Sequence, residues 1–215
     1  MQEYYSKRAE ELDEIYKTDD RTRQKELKII EEKMKKFLKG RKVVEIAAGT
    51  GFWAQKISET AQELTVTCMT EKNLNVARRK AFSCRVFFRR EDDPLDLLFP
   101  SQVFDGAAAN FFISHIPRQK LHVFLKEMHR VLKPNSRIFL TDNVFVPGRG
   151  GELVLSNKNT YKVRTLHDGS QFKVTKNYYT SNELIEIFSE YDKNFGKKNI
   201  FYGEDFWAVK YKLNP

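Results

Sequence analysis

The sequence predicts an α/β fold, and three observations carry that expectation. At Lys42–Trp53 a short β-branched apolar run ends in small residues and two glycines, and a helical pattern follows at once. Downstream, short apolar runs alternate with segments whose apolar residues recur at helical spacing, as in strands joined by helical crossovers. The chain has 215 residues, enough to bury a sizeable core in one domain.

The elements follow in order. Tyr4, Tyr5, Leu12, Ile15 and Tyr16 mark a first short helix. Thr18 or Asp19 is placed to cap a second, whose Leu27, Ile30, Met34, Phe37 and Leu38 share one face, with Gly40 as its stop. Residues 1–40 therefore read as a helical cap on a domain spanning 41–215. Val43, Val44 and Ile46 form strand one, and the helix after the glycine turn begins near Ala54. Leu64–Cys68 is strand two, followed by a helix capped by Thr70 and carrying Leu74, Val76 and Ala77. Val86–Phe88 is strand three. Gly106–Ala109 suits a central strand under close helix packing, and Leu121, Phe124, Leu125, Met128, Val131 and Leu132 give an amphipathic helix. After a turn at Lys133–Ser136, strand five runs over Arg137–Thr141 and ends in Asp142-Asn143.

Val146–Gly151 is the clearest loop and opens an insertion of about 144–179. Within it, Tyr161–Thr165 and Phe172–Thr175 alternate about a His167–Ser170 turn, a hairpin signal. Thr180 or Ser181 caps a last helix with Leu184, Ile185, Ile187 and Phe188, and Phe206–Tyr211 is a closing strand.

Composition narrows the function. The formal net charge is +9, which favours anionic partners, but the basic residues are mixed with many acids. Cys68 and Cys84 are the only cysteines, too few for a disulfide framework and without zinc-ligand spacing, so no metal is expected. No opening segment resembles a signal peptide and no apolar run suits a bilayer, so the expected setting is cytoplasmic, away from membranes.

A strand, a glycine turn and a helix form the layout in which a ligand lies against backbone N–H groups. Glycine permits close approach and positive φ there. The turn is not a GxGxxG dinucleotide pattern, and there is no Walker lysine. Glu45-x-Ala47-x-Gly49-x-Gly51 resembles motif I of the class I S-adenosylmethionine (SAM) methyltransferases, and the later elements follow that family's order. The Tyr4-Tyr5…Arg8-Ala9…Tyr16 start and the Asn159–Tyr179 run are similar to a bacterial, methyltransferase type 11-like branch.

The resemblance implies a three-layer α/β/α Rossmann-like sandwich, with a mostly parallel seven-stranded sheet and an antiparallel last strand. It implies SAM as cofactor and S-adenosylhomocysteine (SAH) as product. Glu45, Ala47, Gly49, Thr50, Gly51 and Trp53 would meet the cofactor from motif I, with Asn110 and Phe111 after strand four and Tyr16 from the cap. The family carries an acid at the tip of strand two. Aligning Leu74–Arg78 with the family's helix puts Cys68 there, a departure, with Met69 beside it and Glu71 three residues on as a substitute. Asp92, or next Glu91, would accept from the adenine amino group, with Asp93 also on the cofactor side. Tyr4, Tyr5, Phe112, His115, Asp142, Asn143 and Trp207 are the substrate-side candidates, and His115 is the candidate general base.

The implied activity is methyl transfer from SAM to a small-molecule acceptor, since aromatic residues would enclose a compact substrate. Two alternatives stand beside it. One is an RNA or protein methyltransferase using the basic residues Arg78, Arg79, Lys80, Arg85, Arg89 and Arg90. The other is a SAM-binding protein without catalysis, raised by Cys68.

Overall fold

Each inner strand is apolar on both sides, because helices cover both faces of the sheet. In the computed structural model, which describes residues 2–214, the elements are α1 (Gln2–Lys7), α2 (Arg21–Leu38), β1 (Lys42–Glu45), α3 (Phe52–Ser58), β2 (Glu63–Cys68), α4 (Glu71–Arg78), β3 (Arg85–Arg90), β4 (Phe104–Asn110), α5 (Leu121–Arg130), β5 (Leu132–Asn143), β6 (Leu153–Ser156), β7 (Asn159–Thr165), β8 (Gln171–Thr175), α6 (Ser181–Ser189), β9 (Ile200–Tyr202) and β10 (Phe206–Lys212). Seven strands form one sheet in the order β3-β2-β1-β4-β5-β10-β9. The first five are parallel, and β10 runs antiparallel to both neighbours.

Alternate residues of each strand feed two cores. Val43, Leu64, Val66, Ala108 and Phe139 pack with α2 and α3 through Ile30, Met34, Leu38, Trp53 and Ile57. Val44, Ile46, Ala107, Ala109, Ile138 and Leu140 pack with α5 and α6 through Phe124, Leu125, Met128, Leu184 and Phe188. This is the three-layer α/β/α sandwich that the resemblance implied. The alanines of β4 let both helical layers approach the middle of the sheet.

Several boundaries differ from the sequence expectation. The first helix is broken into α1 and a 3₁₀ turn, Leu12–Tyr16. The cap of α2 is Asp20, not Thr18 or Asp19, because the Asp20 Oδ1 accepts from the N–H groups of Thr22 and Arg23 at 3.0 and 3.2 Å. The turn at Lys133–Ser136 lies inside β5, where the register against β4 shifts and Asn135 takes φ +63°. The insertion contains the expected hairpin, β7–β8, and a third strand, β6, on its other side. Four-residue β6 and three-residue β9 give too little pattern to be read from sequence.

One buried acid ties the cap to the sheet. Glu26 of α2 accepts from the backbone N–H groups of Glu204, Asp205 and Phe206 at 2.7, 3.1 and 3.0 Å. The carboxylate satisfies the β9–β10 turn, which otherwise buries those donors unpaired.

Candidate active site

The C-terminal tips of β1, β2, β4 and β5 lie along one edge of the sheet, the edge where open α/β folds bind ligands. The turn after β1 has a left-handed backbone at Ala47 (φ +56°), Gly49 (+59°) and Gly51 (+77°). A Cβ added at Gly49 would sit 3.0 Å from Leu12 Cδ2, and one at Gly51 would sit 3.0 Å from Ala77 Cβ. Gly51 thus serves helix packing, whereas the space over Gly49 belongs to a cleft.

That cleft joins Ala47, Gly49 and Thr50 with Trp53, Cys68, Met69, Thr70, Asn73, Asn110 and Phe112. Buried polar atoms here lack partners. Glu45 Oε1 accepts from Asn110 Nδ2 at 2.7 Å, leaving Glu45 Oε2 and Asn110 Oδ1 unsatisfied, and Asn73 Oδ1 is unsatisfied as well. Burial pushes the Glu45 pKa up to about 8. The two amide oxygens only accept, and Glu45 Oε2 becomes an acceptor when a cationic ligand draws off its proton, so the site suits a ligand bringing cationic or hydroxyl donors.

The structure separates the candidates for the missing acid. Cys68 is buried at the tip of β2, and burial raises its thiol pKa against hydrogen bonds from the Thr70 backbone and the Asn73 side chain. Glu71 does not turn in: its side chain is 49% exposed and ion-paired with Arg78. Asn73, which the sequence reading did not single out, is the polar side chain in the cleft beside Cys68. Its signal was available: Thr70 caps the helix through the Asn73 N–H at 3.3 Å, which turns the first turn of α4 toward the cleft. Asp92 is 70% exposed and paired with Arg90, and Asp93 caps the next turn through the Leu95 N–H. Neither lines the cleft. Glu91 is buried but held by Arg89 at 2.6 Å and by the Leu98 N–H.

Residues 4–16 lie across the cleft. Asp13 binds both Thr50 Oγ1 and Lys80, and Leu12 rests on Gly49. Tyr16 stacks on Phe52 with centroids 4.1 Å apart, and meets Trp53 and Phe111 edge-on or tilted. With these side chains in place the cleft holds about 60 Å³. Small-molecule sites need roughly 300 Å³ or more, so with this segment in place the cleft is too small for a ligand the size of a nucleoside.

A second cavity of about 290 Å³ adjoins it. Tyr4, Tyr5 and Arg8 form one wall, Phe111, His115 and Asn143 the floor, and Arg149, Arg164, Lys176 and Tyr178 of the insertion the far wall. His115 Nδ1 lies 2.7 Å from Thr175 O, which only accepts, so Nδ1 carries the proton. Nε2 then accepts from the Tyr5 hydroxyl at 2.6 Å. Burial, and next the charge of Lys176, lower the His115 pKa to about 3, so the ring is neutral at pH 7. Burial raises the Tyr5 pKa, which keeps the phenol a donor.

Asp142 lies behind this floor, buried, bonded to Lys176 Nζ at 2.9 Å and to the Ser114 N–H at 2.8 Å. Lys176 also donates to Asn143 Oδ1 at 2.7 Å. Burial alone would raise the Asp142 pKa, but Lys176, His115 and the Ser114 N–H outweigh it and hold it low. Asp142 therefore fixes the insertion to the sheet instead of facing the cavity. Trp207 is 0% exposed in the core beside Tyr179, outside both cavities, because β10 turns it toward α6. Phe112 lines the cleft, not the second cavity. Lys176, Arg149 and Arg164 were missed because nothing local in the insertion marks a basic residue as cavity-facing.

The expected basic patch is largely paired. Arg78, Arg79, Lys80, Arg89 and Arg90 each meet a carboxylate, from Glu71, Glu10, Asp13, Glu91 and Asp92. Among the described residues no cluster would hold a metal ion, and no helix is long and apolar enough to cross a membrane.

Known proteins resemble the chain in sequence and shape. Residues 43–135 match the profile of a family described as a methyltransferase domain. A demethylmenaquinone methyltransferase of Staphylococcus aureus is 31% identical over 103 residues, 46% of this chain and 42% of the relative. The ubiquinone/menaquinone biosynthesis C-methyltransferase UbiE of Rhodopseudomonas palustris is 33% identical over 115 residues, 50% of this chain and 45% of the relative. The matched stretch thus spans less than half the length of these curated relatives. In shape, a DhpI–SAH complex superposes with a TM-score of 0.77 at 20% identity, covering 99% of this chain and 95% of the other. The protein PH0226 of Pyrococcus horikoshii gives 0.70 at 18% identity, covering 91% and 93%.

Proposed function

We propose that this chain, a class I SAM-dependent methyltransferase by its domain and fold, transfers the methyl group of SAM to a small-molecule acceptor. One observation carries the reading: the glycine turn after β1 is flanked by three buried acceptors without partners, Glu45 Oε2, Asn110 Oδ1 and Asn73 Oδ1. SAM brings an ammonium and two ribose hydroxyls, the donors such atoms need. The relatives named as demethylmenaquinone and ubiquinone/menaquinone methyltransferases support a small acceptor. The pairing of the basic patch with acids argues against a nucleic-acid surface.

When bound, SAM supplies a methyl already activated by its sulfonium. The C–S bond breaks with its electron pair left on sulfur, and the acceptor's lone pair forms the new bond to the methyl carbon. The chain's task is alignment and exclusion of water. The backbone at Ala47–Gly51 and the acceptors Glu45, Asn73 and Asn110 hold the cofactor, and Tyr16, Trp53 and Phe111 shield it. Residues 4–16 close over it, which places Tyr5 and His115 at the acceptor side. His115 Nε2, which accepts from the Tyr5 hydroxyl here, takes the hydrogen bond of an acceptor hydroxyl in place of Tyr5 and orients it; with a pKa of about 3 the ring does not keep the proton, which passes on to solvent. The test is calorimetry with SAM and SAH, followed by mass spectrometry of acceptors methylated from a metabolite extract. Absence of binding to either ligand by folded protein refutes the reading.

A further inference from the structure

The second cavity has a charge imbalance. Five cations line it: Arg8, Arg23, Arg149, Arg164 and Lys176. Three are matched by acids. Arg23 and Arg149 share Asp205, Arg149 also reaches Asp20 at 3.4 Å, and Lys176 is paired with Asp142. Arg8 and Arg164 meet no carboxylate within ion-pair distance among the described residues. Glu11 shares an adjoining recess with both arginines, but its near contact there is His167 Nε2 at 3.2 Å and it makes no ion pair with either guanidinium.

Both free guanidinium groups are held by neutral partners. Arg8 donates to the Tyr4 hydroxyl at 2.5 Å and lies 5.4 Å from that ring's centroid. Arg164 Nη1 donates to Gly150 O at 2.7 Å. One comes from the N-terminal segment and the other from β7, so the cavity has a fixed cation on each of two walls. Each fork keeps further N–H groups to offer, and a guanidinium fork matches two oxygens of one tetrahedral anion.

Two unbalanced charges call for about two negative charges on one small ligand. We propose that the acceptor carries a phosphoryl-type dianion, a phosphate monoester or a phosphonate, gripped between Arg8 and Arg164. The methylated group then lies toward Tyr5 and His115, and the dianion toward the insertion. A carboxylate carries a single charge and would leave one guanidinium unmatched. The cavity's volume of about 290 Å³ suits such a small molecule. The dianion also ties the N-terminal segment to the insertion, so acceptor binding and closure over the cofactor are coupled. This substrate class rests on the methyl-transfer reading, although the anion site is testable without turnover.

The experiment is calorimetry of the full chain, with and without SAH, using methylphosphonate, methyl phosphate and acetate as probes. Methylphosphonate or methyl phosphate is expected to bind at least tenfold more tightly than acetate, and the tighter of the two identifies the source. Arg164→Gln and Arg8→Gln are each expected to lose roughly tenfold or more, as for a hydrogen bond to a charged group. Arg164→Lys should recover part of the loss, which shows that charge at a folded site was removed. Acetate binding as tightly as the phosphoryl probes overturns the proposal, as do unchanged affinities in both Gln variants of normal Tm. If SAH fails to bind while methylphosphonate binds in an arginine-dependent way, the anion site stands and the methyl-transfer reading falls. If SAH binds and neither phosphoryl probe does, the anion site falls alone.

Discussion

The two halves of the site are built in different ways. The floor of the proposed cofactor cleft draws on residues 47–53, 68–73 and 110–112, three short stretches at the tips of neighbouring parallel strands, with Tyr5, Leu12 and Tyr16 laid over it. Its polar atoms are neutral or acidic acceptors. The second cavity takes side chains from positions 4–23, 111–115, 143–150, 164–178 and 205–206, and its character is cationic. The first is a property of the sheet edge. The second exists only after a segment before the sheet and an insertion after β5 meet across it. A fold of this kind can therefore keep its cofactor chemistry while its acceptor changes, since the acceptor side is assembled from peripheral parts.

The comparison breaks most visibly at the joint between the halves. Asp142 belongs to the sheet and Lys176 to the insertion, and both are buried. Removing one partner leaves an uncompensated buried charge, so Asp142→Ala should cost about 3–5 kcal/mol of stability. Asp142→Leu combined with Lys176→Met should recover much of that. Urea denaturation of Asp142→Ala, of Asp142→Leu and Lys176→Met singly, and of their double variant checks it, and additive losses would show the pair to be uncoupled.

Next in size is the glycine turn. Gly49→Val should cut SAM affinity by roughly a hundredfold or more, about 2.7 kcal/mol, because the side chain fills the cleft and the positive φ opposes it. Its Tm should fall less than that of Gly51→Val, whose side chain meets Ala77 of α4. Calorimetry and thermal melts read the two effects separately. Equal Tm losses would remove the distinction between a ligand-facing and a packing glycine.

His115 offers a pH test of the second cavity. Its folded pKa of about 3 lies below the ordinary 6.5 through burial and the charge of Lys176, with Arg164 adding to it and Asp142 opposing. Between these values the unfolded chain binds the extra proton. The group's contribution is thus fully present above pH 6.5 and is lost as pH falls toward 3, at roughly 1.4 kcal/mol per unit. Glu45, raised to about 8 from 4.5, acts in the opposite sense from pH 4.5 to 8. The slope is therefore read as the difference between the parent and His115→Gln. Parallel stability curves for the two would mean that His115 is solvated.

The smallest effect sharpens the cofactor half. If Asn73 serves the ribose where the family's acid is missing, Asn73→Leu should weaken SAM binding by about tenfold. Glu71→Ala should leave it unchanged, since Glu71 faces solvent and Arg78. A loss in Glu71→Ala with none in Asn73→Leu would reverse the assignment.

Much of this was legible in the chain. The β-branched run at Val43–Ile46, the glycines behind it and the helical spacing of α2 and α5 report local physics, periodicity and backbone freedom, which short windows carry. The three-layer architecture fits strands with apolar residues on both faces, which need two covering layers, whereas the count of seven strands was implied only by the resemblance. Motif I also pointed to the glycine turn that lines the cleft, since those residues are adjacent in sequence.

What only the tertiary structure decided are the relations across distance. The Thr70 cap was legible beside Cys68, but that Glu71 then turns outward to Arg78 while Asn73 lines the cleft is decided by the packing of α4. Asp142 and Trp207 lie at strand positions that suit a site, yet a lysine 34 residues on claims the first, and the packing under α6 claims the second. Arg8 and Arg164 stand 156 positions apart (164 − 8) and face one cavity because the insertion folds back over the N-terminal segment. Charge balance in a cavity is a sum over such remote neighbours. It depends on which acids come within a few ångströms of which bases, a distance that composition and spacing do not encode.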